Sequence, residues 1–288
     1  MRRILAGLIV IIVYGSLYPW HFVSWPQGLV LEWPRRLDPA DALVNVLLYL
    51  PLGACAYWAF AGQRRLFRLI APVALAFLLS SSIEIVQAFE PARHSSAYDI
   101  ATNVTGGALG MLLAVALPWS PSPELFLMVA WAAHVLFFRF GWWPVECLGW
   151  LIVASAAMPQ RTFPWRGLLA LACYGALLWR GLTPFHWIST GSSFNWVPFE
   201  AFLVSNWEQT IPLIVSKLFW YGAAVWVLWR VKPSWLLAGI VAAAFLAAIE
   251  VVQRHLPPHV SEITDPLMAV LLCAGFAQLA PSDRKAGA

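Results

Sequence analysis

Glu84, Gln87, Asp99 and Asn103 stand close together in the stretch SSSIEIVQAFEPARHSSAYDIATNVTGGALG, residues 80–110, with long apolar sequence on either side. A carboxylate in such a setting can give or take a proton. Carboxylates and amides gathered together can hold a polar ligand. Ionisable groups at membrane depth are costly, so they usually face a protein interior or a water cavity and mark function. Positions three or four apart share a helix face. That rule pairs Glu84 with Gln87 and Asp99 with Asn103, and it also pairs Asp41 with Asn45 further upstream. With a rise of about 1.5 Å per residue, Glu84 lies roughly 10 Å from the end of its helix, which Pro91 follows. Three helices are therefore expected to bring polar stripes to one depth, and one shared cluster is the economical arrangement, since each group left alone in hydrocarbon would cost several kcal/mol.

The flanking residues carry alternatives. Asp99 opens a helix, where a carboxylate also caps free amides and suits the dipole. Gly106, Gly107 and Gly110 form a small-residue face expected to be a close helix-packing seam. Arg93, His94, Ser95 and Ser96 read either as a solvated turn or as a contact for a lipid or glycan phosphate. Lys217 falls inside an apolar segment, buried or snorkelling toward the outer face. His21 and His186 lack metal-ligand partners at useful spacing. Cys55, Cys147, Cys173 and Cys273 lie in apolar segments without short spacing. No metal site, disulfide framework or cofactor is expected.

The pattern recurs. Glu250, Gln253, Pro257 and Asp265 each follow Glu84, Gln87, Pro91 and Asp99 by 166 positions. In this second copy Ala269 and Cys273 stand where the first has Asn103 and Gly107, so the copy is degenerate.

Helices must position these groups. Hydrophobic residues make up 61% of the 288-residue chain and charged residues 11%, against about 25% charged in a soluble domain. This composition predicts an all-α polytopic membrane protein, because backbone in lipid must satisfy its own hydrogen bonds. At about 17–25 apolar residues per span, ten transmembrane helices are expected, at about 4–20, 41–61, 67–89, 97–117, 124–140, 142–158, 167–183, 210–229, 234–254 and 264–280. The first is expected to be retained and not a cleaved signal, since Leu17-Tyr18-Pro19-Trp20-His21 offers no small-residue cleavage site and Leu182-Thr183-Pro184-Phe185-His186 resembles it inside the chain. The fifth and sixth are short and joined by Phe140-Gly141-Trp142-Trp143-Pro144, so a re-entrant or tilted hairpin is the alternative there. Residues 21–40 and 184–209, rich in Trp, Phe and Pro, are expected to lie along the outer interface.

Charge placement sets the orientation. Arg2, Arg3, Arg64, Arg65, Arg68, Arg161, Arg166, Arg230, Lys232, Arg284 and Lys285 all fall on one side if both termini are cytoplasmic. Tyr18, Trp20, Trp25, Trp33, Trp119, Trp142, Trp143, Trp165 and Trp187 fall at span ends, as interfacial anchors do. The net charge of +4 reflects these loops and not a nucleic-acid footprint. The expected organisation is a four-helix repeat over 1–117, a two-helix connector over 118–166 and a second, degenerate four-helix repeat over 167–288. Six spans separate the repeat units, so both point the same way and the duplication is parallel.

The run Asp41-Ala42-Leu43-Val44-Asn45-Val46-Leu47-Leu48-Tyr49-Leu50-Pro51-Leu52-Gly53 resembles the Asn-hydrophobic-Pro-Leu-Gly segment of VanZ-like membrane proteins. The stretch from Ser82-Ile83-Glu84-Ile85-Val86-Gln87 through Asp99, Asn103, Gly106, Gly107 and Gly110 is similar to that family's second signature. The match covers about residues 37–117. The resemblance implies a multi-pass protein of the bacterial inner membrane. The family takes its name from low-level resistance to the glycopeptide teicoplanin, and its members also accompany cell-envelope and exopolysaccharide genes. It supplies no catalytic residues to carry over.

Three functions fit these residues. The first is a non-enzymatic envelope protein with an outer-leaflet polar pocket for a lipid-linked glycan or glycopeptide, its candidate ligand-binding residues being Asp41, Asn45, Glu84, Gln87, Arg93, His94, Asp99 and Asn103, with Glu250, Gln253 and Asp265 as second-repeat counterparts. The second is a membrane enzyme on an isoprenoid-linked or glycolipid substrate, with Glu84 as general acid or base; no nucleophile–base pair or phosphate-binding motif accompanies it. The third is a transporter or flippase, for which matching broken helices are lacking.

Overall fold

The computed structural model describes residues 1–26, 30–33, 38–116, 121–137, 143–158 and 165–280. Trp119, Trp142, Arg161, Arg284 and Lys285, and most of the Phe140–Pro144 turn, lie outside the described residues. Among the described residues there are eleven helices and no strand. The chain divides into two compact units, Met1–Ser120 and Pro121–Ala288.

The first unit holds α1 (Arg2–Ser16), α2 (Pro39–Ala59), α3 (Arg65–Gln87) and α4 (Ala97–Ala116). The second holds α5 (Pro123–Phe137), α6 (Trp143–Ala156), α7 (Arg166–Leu182), α8 (Glu200–Val204), α9 (Trp207–Val231), α10 (Trp235–Gln253) and α11 (Thr264–Leu279). All ten expected helices are present, and α8 is one more. Their ends differ for local reasons. The Asp38 carboxylate accepts from Ala40 N at 2.8 Å with Pro39 in the first helical position, so α2 begins two residues early. Asn206 caps Gln209 N at 3.1 Å and starts α9 three residues early. α1 stops at Ser16, because Pro19 disfavours helix in the residue before it.

Among the described residues five segments are long and apolar enough to cross a membrane: Pro39–Ala59, Arg65–Gln87, Ala97–Ala116, Glu208–Val231 and Trp235–Gln253. Pro123–Phe137, Pro144–Ala156 and Thr264–Leu279 are apolar but shorter. Large aliphatic side chains such as Leu78, Leu112, Leu171 and Leu236 point outward, which suits lipid and not water. By length and composition this is an α-helical membrane protein.

In the first unit the central contact is α2 against α4, and glycine makes it. A Cβ on Gly110 would sit 1.9 Å from the Leu50 carbonyl oxygen, and one on Gly106 would sit 2.4 Å from that of Val46. The expected small-residue seam is therefore real, and its partner is α2. In the second unit α9 takes the central place with bulky side chains instead. Phe219, Trp220 and Trp226 are fully buried among α5, α7, α10 and α11.

Candidate functional site

The glycine seam packs α4 against α2, and α3 delivers Glu84 to the start of α4. Glu84 is buried, and its Oε2 accepts the Ser96 backbone N–H at 2.7 Å. Ser96 is the residue before α4, and its hydroxyl accepts from Asp99 N at 3.2 Å. Ser96 thus caps the helix. Asp99 stands in the first turn, suited to the dipole but free of the capping duty. Its carboxylate faces the Asn45 amide and neighbours Asp41 and Glu84. Asn45 Nδ2 donates to Thr102 Oγ1 at 3.3 Å, and that hydroxyl donates back to the carbonyls of Tyr98 and Asp99.

One turn deeper, Asn103 Nδ2 donates to Ser80 Oγ at 2.9 Å. Asn103 is only 7% exposed, yet its Oδ1 has no hydrogen-bond partner. Tyr49, on the α2 face one turn after Asn45, is buried beside Ser80 and Glu84. The cluster is therefore Asn45, Tyr49, Ser80, Glu84, Ser96, Asp99, Thr102 and Asn103, with exposed Asp41 at its edge. Tyr49, Ser80 and Thr102 were not singled out from sequence, and Ser96 was read only as part of the turn. Their only available signal is spacing: Tyr49 is four residues after Asn45, and Ser80 four before Glu84.

The remaining candidates face elsewhere. Gln87 is buried and donates from Nε2 to the Ser16 carbonyl at 2.7 Å, tying α3 to the end of α1. Arg93 Nε donates to the Tyr18 carbonyl at 2.9 Å. His94 is exposed. The turn is only partly solvated, because Ser95 is buried, with its carbonyl accepting from Glu32 N at 3.1 Å and its hydroxyl from Leu31 N at 3.0 Å. Glu90, also buried, accepts the His21 backbone N–H and so serves the outer loop.

The second unit makes the same backbone contacts about 166 positions later. Glu250 Oε2 accepts Glu262 N at 2.8 Å, Gln253 Nε2 donates to the Gly181 carbonyl at 2.8 Å, and Asn195 pairs with Glu262 as Glu32 pairs with Ser96. The side chains around the carboxylates differ. Lys217 Nζ lies 2.5 Å from Asp265 Oδ1 and 3.2 Å from Glu262 Oε1, and the Tyr221 hydroxyl donates to Asp265 Oδ2. Lys217 also stands over the Phe202 ring, 5.3 Å from its centroid. Lys217 is part-buried, with Asp265 and Glu262 as its partners.

Among the described residues no group of three His, Cys, Asp or Glu side chains could hold a metal ion. Residues 5–118, covering nearly all of the first unit, match the model of the VanZ/LLP1 family. No curated protein and no solved structure matches the chain.

Proposed function

From the VanZ/LLP1 domain of residues 5–118 we propose that this is a multi-pass protein of the bacterial inner membrane, with both termini cytoplasmic. Its polar cluster serves as an outer-leaflet binding site for a lipid-linked glycan or a glycopeptide, in a glycopeptide-resistance or exopolysaccharide-associated role. The basic loops support the orientation. The recurring contacts at a spacing of about 166 support a parallel duplication, in which ten helices cross the membrane. The observation that carries the site is the convergence of Glu84, Asp99, Asn45 and Asn103 from three helices, with Asn103 Oδ1 buried and unpartnered. A buried polar atom without a partner costs about 1–3 kcal/mol. Such a cost is sustained where a ligand supplies the missing hydrogen bond.

The test is expression in a teicoplanin-susceptible bacterium and in a host with a scorable exopolysaccharide phenotype. Glu84→Ala, Asn45→Ala and Asn103→Ala are each compared with wild type at matched membrane levels. Loss of the phenotype in all three is expected. Wild-type behaviour at normal protein levels would overturn the site.

A further inference from the structure

We propose that the first-unit cluster takes a primary ammonium group, offered by a ligand, in the role that Lys217 plays within the second unit. The proposal rests on reading the cluster as a ligand site and names the chemistry of what enters it.

The two clusters correspond residue by residue. Glu84, Ser96 and Asp99 precede Glu250, Glu262 and Asp265 by the same 166 positions. On the facing helix, Asn45 and Tyr49 are four apart, as are Lys217 and Tyr221. Their contacts correspond too. Asn45 faces Asp99 where Lys217 faces Asp265, and Tyr49 neighbours Glu84 where Tyr221 neighbours Glu250. In the second unit this frame holds an ammonium between two carboxylates and over an aromatic ring, three partners that suit a compact –NH₃⁺.

The first unit keeps Asp99 at the position of Asp265 but has Ser96 where the second has Glu262, and Asn45, whose neutral amide donates to Thr102 and faces Asp99, stands in place of the lysine. Among the described residues Asp41, Glu84 and Asp99 form no ion pair. Among the described residues, Arg93 is bonded to the Tyr18 carbonyl and His94 is exposed. Two further facts favour an external group. Asn103 Oδ1 is an unpartnered acceptor, which an ammonium proton satisfies, whereas the second unit has apolar Ala269 at that position. Asp41 is exposed at the outer end of α2 and gives the cluster an anionic mouth, whereas the matching position four before Lys217 is Leu213. The second unit closes Asp265 and Glu262 with its own lysine; the first presents Asp99, with Glu84 and Asp41 beside it, to something that arrives.

A primary ammonium can come from an ethanolamine lipid headgroup or from a free amine, and the experiment separates them. The full chain is purified in a nonionic detergent, and its Tm is followed on adding phosphatidylethanolamine, phosphatidylglycerol, free ethanolamine or sodium chloride at matched ionic strength. Wild type is expected to gain about 2–4 °C or more with an amine and nothing with phosphatidylglycerol or sodium. A response to the lipid alone assigns a headgroup, and one to free ethanolamine assigns the amine itself. Asn45→Lys supplies the second unit's own solution. It is expected to abolish the amine response while keeping Tm at or above the ligand-free wild-type value. Should Asn45→Lys fold poorly, Asp99→Asn provides the same readout, with the amine response lost. No amine response in wild type, an equal response to sodium, or a retained response in Asp99→Asn overturns the proposal. In the phenotypic assay, Asn45→Lys behaving as wild type while Glu84→Ala fails would sink the ammonium and leave the site. If both behave as wild type, both readings fall.

Discussion

The two units solve one problem in opposite ways. Each buries a glutamate near the end of one helix and uses it to hold a backbone N–H just before the next, Ser96 N in one and Glu262 N in the other. Each then has an aspartate within the first turn. The second unit adds a third carboxylate, Glu262, and balances the group internally with Lys217 and the Tyr221 hydroxyl. The first adds hydrogen-bonding groups, Asn45, Asn103 and Ser80, and among the described residues its carboxylates form no ion pair. The scaffolds differ in the same sense. The second unit fills its centre with Trp220 and Trp226, while the first lets two backbones touch at Gly106 and Gly110. The shared Glu and Gln hold matching backbone groups in both halves, whereas the side chains facing Asp99 and Asp265 differ.

The largest test of this contrast is Lys217→Ala. It leaves Asp265 and Glu262 buried without their cation, and breaking a buried pair costs about 3–5 kcal/mol. Asn45→Ala, at the corresponding place, loses one hydrogen bond to Thr102 and is expected to cost about 0.5–1.5 kcal/mol. Thermal unfolding of both variants in detergent checks the difference, and equal costs would break the comparison. Next is Gly110→Ala, where a methyl group meets the Leu50 carbonyl at 1.9 Å, so that α2 and α4 must part. Overpacking of this kind costs about 1–3 kcal/mol. Gly275→Ala, with nothing within 4 Å of the added carbon, is the control and is expected to be neutral or mildly stabilising. The smallest effect concerns what the halves share. Gln87→Ala and Gln253→Ala each remove one side-chain bond to a backbone carbonyl and are expected to lose similar amounts, about 0.5–1.5 kcal/mol. A loss confined to one half would show that these glutamines are not equivalent supports.

Much of the fold was legible because lipid imposes length and apolarity. A helix lies at each of the ten expected positions, with ends shifted by up to four residues, at Asp38 and Asn206 by a cap and at Pro19 by a proline. The site was legible only by face. Spacing correctly placed Glu84 and Asn103 toward a common cluster but could not separate Glu84 from Gln87. Three positions leave two side chains on neighbouring, not identical, directions, and here one meets the start of α4 and the other the end of α1. Lys217 was visible as an odd charge in an apolar run, yet its partners lie 45 and 48 residues away.

By itself the sequence determined the helical membrane class, the recurrence of Glu, Gln and Asp, and the resemblance over the first unit, because period, length and residue type are local properties. Only the tertiary structure decided which polar groups meet. That depends on which helices approach closely enough, a choice made by Gly106 and Gly110 in one unit and by the aromatic face of α9 in the other.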